Sequence, residues 1–196
     1  MKTTTFKSLA VFVLALSLTT SVFAGTQKVD AAKSTVKWLG KKVTGEHTGT
    51  IALKEGNLVS ENGKITSGKI VMDMTSIVDK DLTDAEWNAK LIGHLKSDDF
   101  FAVATNPTSE LVLTKVEVNG SNYVFAGNLT IKGITNPVSF KATSSKDGKN
   151  TNFVGSLTID RTKFNMKFGS KSFFENLGDK VVYDDFTLDF NLVVAE

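Results

Sequence analysis

The stretch YDDFTLDFNLVV, residues 183–194, alternates strictly. Phe186, Leu188, Phe190, Leu192 and Val194 fall on one face, and Tyr183, Asp185, Thr187, Asp189 and Asn191 on the other. A period of two with one apolar and one polar face marks an antiparallel strand buried on one side. The pattern recurs further back. Phe153, Leu157 and Ile159 alternate with Ser156, Thr158 and Asp160, and Val138, Phe140 and Ala142 with Ser139, Lys141 and Thr143. Positions 123, 125, 129 and 131 are apolar around Gly127, and so are positions 70, 72 and 74. Turn signals lie between these runs at Asn119-Gly120, at residues 133–137 (GITNP) and at residues 147–150 (DGKN). Weaker strands are expected at 34–43, 48–55 and 110–118. The total, about eight in one domain, closes a small barrel. The fold class is therefore all-β, an eight-stranded antiparallel barrel.

One segment follows a different period. Thr83-Asp84-Ala85-Glu86 reads as a capping box with Thr83 as N-cap and Glu86 at the third helical position. Trp87, Leu91 and Leu95 then recur every four residues, with Ile92 beside them. This predicts one amphipathic helix over 84–96, inserted between strands and plugging or capping one end of the barrel. The polar face carries Lys141, Asp185, Asp189 and Asn191, whereas a barrel in an outer membrane needs an apolar exterior. The expectation is an apolar inside.

The first 24 residues read as a leader rather than as part of the fold. Lys2 and Lys7 precede the apolar run LAVFVLALSL at 9–18, and Val22-Phe23-Ala24 offers small residues before Gly25. That is a secretory signal peptide cut after Ala24, leaving a domain at 25–196 that is periplasmic or secreted. The apolar run is short for a membrane span, so the mature chain is not expected to cross a bilayer. The whole chain has 23 basic and 21 acidic residues, two of the lysines lying in the leader. This balance gives no footprint for nucleic acid. With no cysteine, disulfides and thiolate chemistry are excluded.

Candidate chemistry centres on two histidines. His47 lies in GEHTG, 45–49, read as a turn between early strands. His94 lies in the last turn of the helix, close to Asp98 and Asp99. Zinc sites commonly use spacings such as H-x-H or H-x-x-x-H, and neither occurs. A composite of His47, His94 and Asp98 requires the fold to bring them together, so no metal ligand is assigned. A small periplasmic enzyme or metal-dependent protein using His94 and Asp98 remains one alternative. The plainer reading makes His94 a donor near the helix carbonyls, residues 97–99 a turn, and Phe100 and Phe101 its anchors. There is no G-x-S-x-G elbow and no cysteine nucleophile, so no catalytic residue is assigned. Asp160-Arg161 reads as an ion pair or backbone clamp.

Bulk is more informative than charge. The chain has 14 phenylalanines, and the inward faces supply Trp38, Ile70, Met72, Phe125, Phe140, Phe153, Phe186, Leu188 and Phe190 as candidate cavity-lining residues. A barrel of this size can be filled by side chains or hold one small ligand. A filled barrel acting through its surface, as a stress or interaction module, is the other alternative. The helix and residues 167–179 both look like covers for a mouth, which favours a cavity.

Several blocks resemble one family. Residues 94–101, HLKSDDFF, are similar to an H-L-[KR]-S-x-D-F-F segment. Residues 127–138, GNLTIKGITNPV, resemble a G-x-L-T-[IL]-x-G-[VI]-T-x-P-V hairpin, and residues 160–166, DRTKFNM, a D-R-x-x-[FW]-[GN] turn. These are blocks of the YceI-like family, the polyisoprenoid-binding, lipocalin-like proteins of bacteria. The resemblance runs in order over nearly all of 25–196. It implies an elongated apolar pocket for an isoprenoid-type lipid, such as a quinone tail or polyprenyl lipid, with no catalytic residue and no other cofactor. His94 is then a candidate head-group contact. A homodimer stays open.

Overall fold

The structure is a computed structural model that describes residues 24–62 and 64–195. The expected leader, apart from Ala24, lies outside the described residues. The strands are β1 (Ala24–Lys28), β2 (Thr35–Lys42), β3 (Gly45–Glu61), β4 (Lys64–Asp79), β5 (Thr108–Asn119), β6 (Asn122–Ile131), β7 (Ile134–Asp147), β8 (Asn150–Asp160) and β9 (Val182–Ala195). The helix α1 (Ala85–Lys96) joins β4 to β5. From β3 to β9 each strand pairs antiparallel with the next, β9 pairs with β2, and β2 with β3, so the sheet closes. β1 and β2 share one flank of β3 at different heights, with Thr26 opposite Val59 and Trp38 opposite Gly49. The two strands therefore fill one position, and the barrel is eight-stranded, as the alternation predicts.

The N-terminal half departs from the expected boundaries. β3 and β4 have 17 and 16 residues and run well beyond 48–55 and 70–74. Their pairing shifts register at three places, which breaks the period of two that would have announced their length. His47 is not in a turn. It lies within β3 opposite Gly40. The expected turn at 133–137 contracts to Lys132 and Gly133, both at positive φ (52° and 73°), with Ile131 pairing directly with Ile134. That is the two-residue hairpin whose twist suits the flanking strands. Pro137 then sits inside β7. β8 pairs with β7 only from Lys141 onward, so the missing N–H of Pro137 falls where β7 has one partner.

Helix α1 starts one residue later than expected. Asp84, not Thr83, is the N-cap, its carboxylate accepting from the amides of Glu86 and Trp87 at 3.0 Å. Glu86 is thereby one position short of the capping-box site and pairs with Lys90 at 2.7 Å instead. Trp87, expected in the apolar stripe, is 61% exposed and lies under the Lys90 ammonium. No helix residue is fully buried. Leu91, Ile92 and Leu95 are half-buried, so the helix rests on the barrel mouth rather than entering it.

The interior is packed at both ends and leaves space between them. Tyr123, Phe125 and Phe153 meet edge-on or stacked, with ring centroids 5.1–6.1 Å apart, over Leu58, Ile65 and Val194. Phe140 stacks on Phe125 at 5.4 Å and forms the inner surface of this plug. At the other end, Met74, Ile77 and Val103 pack beneath Ile92 and Leu95 of α1. Phe100, Phe164 and Met166 pack with Leu157 and Ile159 under the chain that follows β8.

Candidate functional site

Between the aromatic plug and α1 lies a cavity of about 370 Å³, within the range of small-ligand sites. Its wall is almost entirely apolar: Val36, Trp38, Met72, Leu111, Phe140, Leu188 and Phe190 contribute, together with Met74, Leu129 and Leu157. Trp38, Met72, Leu111, Phe140, Phe186, Leu188 and Phe190 point inward yet are only half-buried. Their free surface faces the cavity. Among the expected lining residues, Trp38, Ile70, Met72, Phe140, Phe186, Leu188 and Phe190 are on the wall. Phe125 and Phe153 are not. Both are 3% exposed and belong to the plug. Alternation assigns a face but not a depth along the barrel axis, and these two lie too deep.

Polar groups gather at the mouth. Lys41, Lys42, His47, His94, Arg161, Tyr183 and Asp185 all border it, while Ser109 is a hydroxyl deeper inside. His94 does not serve the helix carbonyls. Ser97 takes that role, its amide and hydroxyl both donating to the His94 carbonyl. The His94 ring stands edge-on between Phe100 and Phe168, with centroids at 4.9 and 4.5 Å, and its Nε2 lies 3.1 Å from Asp99 Oδ2. It therefore tips into the mouth, held by two aromatic rings. Asp98 is not its partner and offers its backbone carbonyl to Lys132. The composite of His47, His94 and Asp98 is not assembled. His47 pairs with Asp81 instead, its Nδ1 being 2.9 Å from Oδ2.

Arg161 fixes the rim beside Phe100, its guanidinium 5.8 Å from that ring. It is 3% exposed and donates to three backbone carbonyls: Nε to Tyr183 at 3.0 Å, Nη1 to Met166 at 2.7 Å, and Nη2 to Val182 at 2.9 Å. Its charge partner is Asp184 at 3.3 Å, not the adjacent Asp160. Asp160 instead caps the short 3₁₀ turn Arg161–Phe164 by accepting from the Thr162 amide. Arg161 is thus a clamp that pins the chain after β8 to the start of β9. Burial draws its guanidinium below the ordinary value, and Asp184 and Asp160 act against that.

Burial pushes the Asp184 carboxyl upward. The hydroxyls of Ser170 and Ser172 and the Arg161 charge outweigh it and leave the carboxyl below its ordinary value of 3.8. Ser172 Oγ donates to Oδ2 at 2.6 Å. A folded-state value below the unfolded one means that folding favours the ionised form. The stabilisation is complete above about pH 4 and is lost as pH falls through the folded value. Acid titration followed by urea denaturation is expected to show Asp184→Asn less stable than the parent at pH 7, with the gap closing below about pH 4. A gap that stays constant over that window would contradict this assignment.

The family model described as YceI-like domain matches residues 27–194. The chain belongs to the YceI-like domain family. A UPF0312 protein of Pseudomonas aeruginosa is 38% identical over 80 residues, covering 38% of this chain and 42% of the relative. One from Shewanella denitrificans is 32% identical over 126 residues, 60% of each chain. These alignments therefore span less than two thirds of the curated relatives. Among solved structures, Burkholderia cenocepacia BcnA superposes with TM-score 0.64 at 27% identity, over 84% of this chain and 98% of that one. A domain from Saccharophagus degradans, described as polyisoprenoid-binding and implicated in plant cell wall breakdown, has TM-score 0.61 at 13% identity, over 86% and 97%. The Campylobacter jejuni YceI protein has TM-score 0.53 at 15% identity, over 100% and 99%. The last two are similar in fold alone. Among the described residues, no helix is long and apolar enough to cross a membrane.

Proposed function

We propose that this protein is an exported carrier or buffer of a polyisoprenoid, or of a similarly amphiphilic lipid. The observation that carries the proposal is the cavity: apolar side chains face an unfilled interior, while charged and hydrogen-bonding groups lie at its mouth. An isoprenoid tail fits that division, with its chain inside and its head group beside His94, Lys41 and Lys42. Each buried CH₂ contributes about 0.8 kcal/mol, so a few isoprene units give useful affinity without polar contacts. Binding rather than catalysis is the reading favoured, because the buried Arg161 is engaged with three carbonyls and the cavity wall is almost entirely apolar. The polyisoprenoid-binding description of the Saccharophagus degradans domain, which shares the fold, supports the ligand class. The pattern of residues 1–24 supports export to the periplasm or beyond. The test is organic extraction of the purified protein followed by mass spectrometry, with a fluorescent prenyl probe added to the emptied chain. A prenyl lipid in the extract and saturable probe uptake are expected. An empty extract together with no uptake would overturn the proposal.

A further inference from the structure

His47 lies on β3, Asp79 ends β4, and Asp81 follows two residues later. Their candidate ligand atoms all lie within 4.8 Å of one another. Each carboxylate has one oxygen already held. Asp81 Oδ1 accepts from the Thr48 amide at 2.6 Å. Asp79 Oδ1 accepts from the Leu82 amide at 2.8 Å and from Asn88 Nδ2 at 3.1 Å. The other oxygens are turned toward the group. Asp81 Oδ2 meets His47 Nδ1, and Asp79 Oδ2 is enclosed with no hydrogen-bond partner, on a residue only 7% exposed. A buried carboxylate oxygen without a donor, next to a second carboxylate, calls for a positive charge. Burial first, and then Asp81, push the Asp79 carboxyl upward.

We infer that His47, Asp79 and Asp81 form a binding site for one divalent transition-metal ion. One imidazole nitrogen with two carboxylate oxygens suits Zn²⁺ and its first-row neighbours, whereas Ca²⁺ and Mg²⁺ favour all-oxygen sets. Two carboxylates balance the charge of such an ion. The amides of Thr48 and Leu82 and the side chain of Asn88 orient the carboxylates, as outer partners do at established metal sites. The three ligand atoms lie within 4.8 Å of one another, a span that a bound ion would tighten. Tetrahedral Zn²⁺ at its usual bond lengths sets neighbouring ligand atoms about 3.3 Å apart. The 2.9 Å between His47 Nδ1 and Asp81 Oδ2 needs a small opening, which a turn of the 35% exposed Asp81 carboxylate about its Thr48-held oxygen supplies. His47 also borders the cavity mouth, so the ion would sit beside the opening.

The experiment is calorimetric titration of the full-length, chelator-stripped protein with ZnCl₂, paired with melting curves in Zn²⁺ and in EDTA. One equivalent is expected to bind at micromolar affinity or better, with a higher Tm in Zn²⁺ than in EDTA. Asp81→Asn and His47→Gln are each expected to weaken binding at least tenfold, whereas Asp99→Asn, beside the other histidine, leaves the titration unchanged. Asp79→Asn separates this site from a carboxyl pair sharing a proton. It should abolish the Zn²⁺ response while raising Tm in EDTA, because an amide nitrogen facing Asp81 replaces a like charge. Absence of stoichiometric uptake would overturn the inference, and a raised Tm for Asp79→Asn without any Zn²⁺ binding by the parent would identify a shared proton only. Uptake that survives both Asp79→Asn and Asp81→Asn, or that is lost in Asp99→Asn, would overturn it equally. Should circular dichroism show that Asp79→Asn does not fold, the half-exposed Asp81→Asn decides.

Discussion

Arg161→Met is expected to destabilise the protein by about 3–5 kcal/mol, the usual cost of breaking a buried ion pair from one side. The substitution removes the donors of three carbonyls, those of Met166, Val182 and Tyr183, and leaves Asp184 without its counter-ion. Methionine keeps much of the packing volume, so the loss reports on polar groups rather than on a void. At this chain length the Tm should fall by roughly 6–20 °C. Urea denaturation should show a lower midpoint with an unchanged slope. Arg161→Lys should recover little, because an ammonium cannot present three fixed donors to three carbonyls. Arg161→Met with Asp184→Asn should recover part of the loss, since no unpaired charge then stays at the rim. A single-variant loss below about 1 kcal/mol would show that the carbonyls find other partners, and that the clamp does not hold the rim.

The second large effect concerns the cavity. Leu111→Trp combined with Leu188→Trp is expected to reduce bound prenyl lipid or probe more than tenfold without lowering the Tm. Both leucines are half-buried and border the empty space, Leu111 on β5 and Leu188 on β9. In a filled core, added bulk costs about 1–3 kcal/mol. Here the indoles enter a void, where new dispersion contacts offset that cost. The measurement is paired: extraction and probe binding on one side, thermal melting on the other. A variant that stays stable and still carries stoichiometric lipid would place the ligand elsewhere. A variant that melts far below the parent would instead describe a barrel already full.

The two halves of the barrel were unequally legible from sequence. The C-terminal strands keep strict alternation, and tight hairpins join β5 to β6, β6 to β7 and β7 to β8, so their faces could be read directly. β3 and β4 bend through register shifts, and their length was hidden. The glycines around His47 read as turn residues, yet Gly49 serves a close approach within a strand. A Cβ there would lie 1.9 Å from the Val78 carbonyl oxygen and 2.8 Å from the Trp38 ring. Trp87 follows the helical period but is left exposed, because the packed surface beneath α1 meets Ile92 and Leu95, nearer the other end of the helix. For the site, alternation found the wall but not its depth, which is why Phe125 and Phe153 were misplaced. The pairings of Arg161 with Asp184, and of His47 with Asp79 and Asp81, join residues far apart in the chain. No local spacing announces them.

The closure of the sheet through β9 has a consequence for the order of assembly. This strand supplies Phe186, Leu188 and Phe190 to the cavity wall and pairs with β2 at the opposite end of the chain. The Val193 amide donates to Ser34 Oγ across 159 residues. Until the last strand docks, the molecule is a curled ribbon with two free edges, a shape prone to pairing with other chains. Contacts of such long sequence separation form late and slowly. The C-terminal strand is thus a latch that converts an open trough into a container. Loading during latching and loading through the finished mouth are two distinct kinetic routes, and adding lipid before or after refolding tells them apart.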